Sequence, residues 1–275
     1  MERQAARRRI MKRRKKANPI IVIFSLALIA VIFTGIYVYF SLGYRYIELD
    51  NGVKFVGKVK DNAPYQGTAF YPDDSKANVD METNTIKYSN GDVYVGDIKY
   101  LLRNGSGKMT YSGLGDIYEG QFAEDIQTGK GAFTYANGDK YEGDLVAGKR
   151  QGTGVYTWAD GSRYEGGFNA NQKNGKGVYT WADNSKYDGD YINDVKQGTG
   201  NYVFANGDIY TGDFQDDKRQ GKGTYTWANG ESYTGDFQNN KMHGYGTYTW
   251  PATETSDQRV YTGYFENGLI VLGDK

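Results

Sequence analysis

The sequence predicts an all-β chain, an elongated antiparallel array of β-hairpin repeats preceded by one transmembrane α-helix. Three observations predict it. A phrase of aromatic, any residue and glycine returns from Tyr94 to Tyr233 at steps of 24 and then 23 residues. Asn-Gly or Asp-Gly pairs punctuate the copies. Ahead of them lies a 22-residue apolar stretch, Pro19 to Phe40, without an ionisable acid or base. A fixed period in this range marks a stacked array rather than a single globular core.

The N-terminal elements come first. Residues 1–16 hold nine Lys or Arg against Glu2, a charge of plus eight, so the neutral total leaves minus eight for the rest. The apolar stretch reads PIIVIFSLALIAVIFTGIYVYF, about 33 Å as a helix, which matches a hydrocarbon core of about 30 Å. Tyr37, Tyr39 and Tyr44 cluster at its far end, at headgroup level. Basic residues crowd only its near end. The positive-inside rule therefore predicts a single-pass cell-membrane protein, with a basic cytoplasmic tail over 1–18, a helix over 19–41 and everything beyond on the outer side. A cleaved signal peptide has a core of roughly 7–15 residues and a small-x-small site, whereas this stretch is longer and ends Val-Tyr-Phe-Ser-Leu-Gly-Tyr. The span reads as a retained anchor. The tail reads as a topology signal touching anionic lipid, not as a nucleic-acid site.

The repeat unit follows from 140 to 163. Tyr141, Gly143 and Leu145 alternate with Glu142 and Asp144, and Gly154, Tyr156 and Trp158 alternate with Val155 and Thr157. Both alternations are strands with unlike faces. VAGKRQG between them reads as a loop within the unit. Asn90-Gly91, Asn137-Gly138, Asp160-Gly161, Asn206-Gly207 and Asn229-Gly230 read as tight hairpin turns between units, with Asp183-Asn184 in one of their places. Glycine weakens a strand, yet here it recurs beside large rings, so the expected core is a ladder of aromatic rings over glycine tracks.

At this point the chain resembles the MORN repeat (membrane occupation and recognition nexus). The resemblance rests on YxGxF, then GxGxxxY/W, then NGxxY at a 23-residue period, clear over 90–265 and fainter over 51–87. It implies a MORN-type meander, divided into a juxtamembrane segment with a degenerate repeat over 42–89 and an array with a C-terminal capping strand over 90–275. Pro72 to Ile86 reads as a polar insertion. Leu269 to Leu272 reads either as a closing strand or as an edge that pairs with a partner.

Catalytic chemistry finds little support. The chain has no Cys and a single His, His243, read as a polar loop residue. Imidazole-paired Ser or Cys chemistry built elsewhere is thereby excluded. Glu142, Asp144, Glu165, Asp188, Asp190, Asp213 and Asp236 repeat in equivalent surroundings. A glycosidase needs two carboxylates whose surroundings differ, so these read as solvated strand faces paired with Lys or Arg. The Gly-x-Gly pairs enter strands rather than helices and do not cradle phosphate. No catalytic residue, metal site or cofactor is expected.

Scaffolding is what the resemblance implies. The family's attributed binding of anionic phospholipid suits a minus-eight outer domain poorly. The leading expectation is a non-catalytic, membrane-anchored scaffold whose extracytoplasmic array docks a protein partner in bacterial envelope or cell-wall assembly, with the bilayer held through the helix. The alternative is binding of a wall polymer, glycan or choline, by rows of aromatics: Tyr156 with Trp158, Tyr179 with Trp181, Tyr202 with Phe204, Tyr225 with Trp227 and Tyr248 with Trp250.

Overall fold

The structure is a computed structural model and describes residues 19–254 and 256–272, with side chains from Phe24 onward. The basic tail over 1–18 lies outside the described residues. Helix α1 (Pro19–Ser41) opens on a proline, whose missing N–H is no loss in a first turn, and closes at Gly43, whose φ of +84° accommodates the helix exit. It is long and apolar enough to cross a membrane, and its side chains from Phe24 on are almost all exposed. The chain then turns at once into β1 (Tyr44–Glu48). Tyr39 packs on Tyr44 with ring centroids 4.4 Å apart, and Arg45 Nη1 donates to the Phe40 carbonyl at 2.8 Å, tying helix to sheet.

From β1 to β21 (Leu269–Ile270) the described residues form a 21-stranded meander in which each strand pairs antiparallel with the next. Two strands make a unit, as in β10 (Lys140–Val146) with β11 (Lys149–Thr157). The loop expected at VAGKRQG is only Ala147-Gly148, with φ of +49° and +72°. Positive φ at both central residues is the type I′ geometry that matches strand twist. The same geometry recurs at Ala170-Asn171, Asn193-Asp194, Asp216-Asp217 and Asn239-Asn240. Gly152 and Gly154 consequently sit inside β11, beside a bulge opposite Gly143/Leu145, and His243 lies in β19 (Lys241–Trp250) rather than in a loop.

The Asn-Gly pairs do make the hairpin turns between units, each closed by a bond such as Gly138 N to the Tyr135 carbonyl at 2.9 Å, but with three-residue loops in place of two-residue ones. At Asn137-Gly138 only the glycine has positive φ, +93°, and Tyr135 N donates to Asp139 O at 2.9 Å across a three-residue loop. The Asn side chain explains the difference, because its Oδ1 accepts from Asp139 N at 3.0 Å and holds a wider turn. Asn184, with φ +66°, fills the glycine place of the same loop one unit pair on.

Pro72 to Ile86 is not an excursion. It supplies β4 (Lys76–Asp80) and the first half of β5 (Thr85–Tyr88), in register with the array. Ala77, Val79 and Ile86 alternate inward and are buried, a pattern of three small apolar residues that polar neighbours obscure in the sequence.

A single-layer sheet has to bury its core against itself, and the first-strand tyrosines do so. Tyr164, Tyr187, Tyr210 and Tyr233 have no exposed surface. Tyr164 is wedged edge-on between Phe168 of its own unit, at 5.2 Å, and Tyr191 of the next, at 5.4 Å. Such pairs add about 0.5–1.5 kcal/mol each beyond their burial. The ring lies over paired glycines, and its hydroxyl donates to the Gly167 carbonyl at 2.9 Å, so the buried polar atom is satisfied.

Successive units are also stapled through the type I′ turns. Asn171 N donates to the Arg150 carbonyl at 3.0 Å while Asn171 Oδ1 accepts from Arg150 N at 2.8 Å. Asp194 with Lys173, Asp217 with Lys196 and Asn240 with Arg219 repeat the exchange. At the end, β21 pairs only with Phe265 and Glu266, while Leu269 and Leu272 stay exposed. Leu269 to Leu272 thus closes the sheet over its last strand, with Ile270 packed on the core, Val271 N donating to the Tyr264 carbonyl at 3.0 Å and the Tyr261 hydroxyl donating to the Val271 carbonyl at 3.3 Å.

Candidate functional site

The register lines up one aromatic per strand on a single face: Tyr141 opposite Tyr156, Tyr156 opposite Tyr164, Tyr164 opposite Tyr179, and onward to Tyr248. Alternate members differ in fate. The first-strand rings lean over the glycine pairs and are buried. The second-strand rings lean toward the inter-unit loops and are half-buried. The sequence-selected residues Tyr156, Trp158, Tyr179, Trp181, Tyr202, Phe204, Tyr225, Trp227, Tyr248 and Trp250 are these half-buried rings, in one unbroken line of contacts with neighbouring centroids 4.3 to 5.6 Å apart. All of them but Trp250 pack against the core, and they form no isolated platform.

Two residue sets not singled out in the sequence complete this face. The first is a row of cations. Arg150, Lys173, Lys196 and Arg219, each 23 residues apart, lie over the rings. Arg150 sits 4.8 Å from the Tyr156 centroid and 5.4 Å from that of Phe168; Lys173 sits 4.9 Å from Tyr179 and 5.1 Å from Tyr191. Arg150 and Arg219 also donate through Nη2 to the Asn171 and Asn240 carbonyls, at 2.8 and 2.7 Å. Desolvation by burial lowers the Lys173 and Lys196 ammonium pKa values. The signal was present in the sequence as a basic residue two places before the Gly-x-Gly of four consecutive units; only its direction relative to the rings was hidden.

The second set is the acidic residue after Asn-Gly. Asp139 is buried, accepts the Tyr156 hydroxyl at 2.7 Å and caps Ala159 N at 2.9 Å, bridging two units. Asp208 does the same for Tyr225 and Ala228. The tyrosine hydroxyl, followed by the backbone donor, holds each carboxyl below the usual carboxylate range.

The opposite face is polar. Lys130–Asp144, Lys176–Asp190 and Lys222–Asp236 pair at 2.6 to 2.8 Å, as do Lys108–Glu119 and Arg163–Glu165. Glu119, Glu142 and Glu165 border a shallow depression above the glycine pairs. Among the described residues no group of His, Cys, Asp or Glu could hold a metal ion.

Seven segments match the MORN repeat family, at residues 94–113, 118–140, 141–163, 164–186, 187–209, 210–232 and 233–252, and the chain belongs to that family. Repeats of this kind generally build binding scaffolds. No curated protein matches the sequence. Among solved structures, the TCP10 domain of Danio rerio CPAP is 9% identical, over 70% of this chain and 94% of that one, with a TM-score of 0.38. The Drosophila melanogaster SAS-4 TCP domain, solved in complex with a proline-rich motif of Ana2, is 15% identical, over 75% and 95%, with a TM-score of 0.33. A streptogramin B lyase is 14% identical, over 82% and 84%, with a TM-score of 0.16. These likenesses carry no argument about function.

Proposed function

We propose that the protein is a single-pass, membrane-anchored scaffold whose extracytoplasmic MORN array docks a protein partner, in bacterial envelope or cell-wall assembly. The observation that carries this reading is the continuous sheet, stapled unit to unit and tied at its first strand to an apolar helix of membrane-spanning length. Such a sheet offers a long rigid surface with one aromatic and one ion-paired face. The positive-inside rule supports the outward orientation. Binding of a wall glycan or choline through the half-buried rings is the rival reading. The Arg and Lys side chains already over those rings favour docking, since a quaternary ammonium would have to displace them.

Crosslinking of the full-length protein in its native membrane, with a chain lacking residues 45–275 as control, tests the proposal. Specific envelope proteins captured only when the array is present are the expected result. Capture no different from the control, together with array-dependent retention on purified wall, would replace docking with polymer binding.

A further inference from the structure

On its aromatic face the acidic array repeats a cation from unit to unit. Arg150, Lys173, Lys196 and Arg219 occupy the same position in four consecutive units, on β11, β13 (Gln172–Thr180), β15 (Val195–Val203) and β17 (Lys218–Thr226). Their register partners Leu145, Phe168, Tyr191 and Phe214 are core residues, which fixes all four cations on the aromatic face. Lys130, Lys176 and Lys222, by contrast, lie on the opposite face and are neutralised by Asp144, Asp190 and Asp236.

The two lysines at the centre of the row are the least compensated. The flanking arginines spend donors on the Asn171 and Asn240 carbonyls. Lys196 Nζ stands 3.8 Å from Asp217, at the limit of an ion pair. Lys173 Nζ has neither ion pair nor hydrogen bond among the described residues; its neighbours are the rings of Tyr164, Tyr179 and Tyr191, at 5.8, 4.9 and 5.1 Å. An ammonium in that position keeps donors for an incoming acceptor, and the half-buried setting makes a new charge-assisted bond stronger than one in open water.

We infer that the aromatic face, centred on Lys173 and Lys196, binds an acidic polypeptide segment of the docking partner, with its carboxylates on the lysine ammonium groups and its backbone along the ring row. The inference deepens the docking reading and rests on it. Spacing favours an extended segment. Lysines two strands apart stand about 10 Å from one another, and residues three apart in a polyproline II segment, with three residues per turn and a rise of about 3.1 Å, lie on one side of it about 9 Å apart. A segment crossing the strands with Glu or Asp at every third position therefore meets successive cations.

The test uses the full-length protein in detergent and a fluorescent extended peptide with Glu at every third residue. The unsubstituted protein is expected to bind it. Lys173→Met with Lys196→Met is expected to weaken binding about a hundredfold, the scale of two lost charge-assisted hydrogen bonds. Lys173→Arg with Lys196→Arg should retain it, while Lys130→Gln with Lys176→Gln, on the ion-paired face, should leave it unchanged. Three results would overturn the inference: no binding of the peptide, equal weakening by substitutions on both faces, or stronger binding of polyphosphate or anionic vesicles of equal charge. Crosslinking the Lys173→Met/Lys196→Met protein in its membrane separates the two readings. Persistent capture of the same partner would leave docking in place and remove the acidic segment from this face.

Discussion

Glycine and tyrosine are coupled residue by residue. A methyl on Gly154 would stand 2.6 Å from Tyr141 Oη, with the ring held over the glycine pair by the Phe168 edge contact. Gly154→Ala should therefore cost about 1–3 kcal/mol by overpacking. The same change in a Tyr141→Leu background should cost much less, and urea midpoints from circular dichroism across the four variants measure the coupling. Asp139 and Asp208 act on pH. Their carboxyls are held below the unfolded value by tyrosine hydroxyls, so their contribution is present above about pH 4 and disappears as pH falls through the folded values. Asp139→Asn with Asp208→Asn should flatten the fall in thermal midpoint between about pH 4 and pH 2 relative to the unsubstituted chain.

At the scale of the hairpin, each tight turn places two residues at positive φ, and Ala147 does so at +49° without the side chain that tolerates it. Ala147→Asn creates an Asn-Gly type I′ turn and should stabilise the chain by roughly 0.5–1 kcal/mol, read as a raised thermal midpoint. Turn chemistry was also where sequence reading misplaced its elements. Asn-Gly is the strongest tight-hairpin signal in general, yet in Asn137-Gly138 and Asn206-Gly207 the following Asp uses the Asn side chain to hold a wider loop. The true tight turns, Asn193-Asp194 or Asp216-Asp217, look in sequence like ordinary polar loop. Their second residues are acidic or amide because they cap the neighbouring unit, a demand that no single repeat displays.

Across the whole molecule the buried tyrosines form one titrating set. Burial above all pushes Tyr94, Tyr118, Tyr141, Tyr164 and Tyr233 up to about 12. Because the charged tyrosinate is disfavoured in the folded state, the stability from these residues is complete below about pH 10 and lost as pH rises toward 12. Tyrosinate absorbance should reach its full value only as the β-sheet circular dichroism is lost in that window, exposed tyrosines such as Tyr100 and Tyr245 supplying the earlier part; complete ionisation with the sheet intact would show that the rings are not sealed.

The period of 23 residues, the alternation within each unit and the uncharged apolar stretch determined by themselves that the chain is a repeat array behind a helix of membrane-spanning length, because these depend on spacing along the chain. The ring rows of the candidate face were likewise legible as periodic aromatics. Tertiary structure alone decided which rings are sealed and which stay half-open, since Tyr141 and Tyr156 are equivalent in an alternation pattern and part ways only when the neighbouring unit sets Phe168 against Tyr141 and the unit's own Arg150 lies over Tyr156. It also decided the faces of the lysines, because only the structure shows that this stretch is strand and not loop. Lys173 and Lys176 stand three residues apart in β13, and strand alternation then sets one over the rings and the other on Asp190 on the far side.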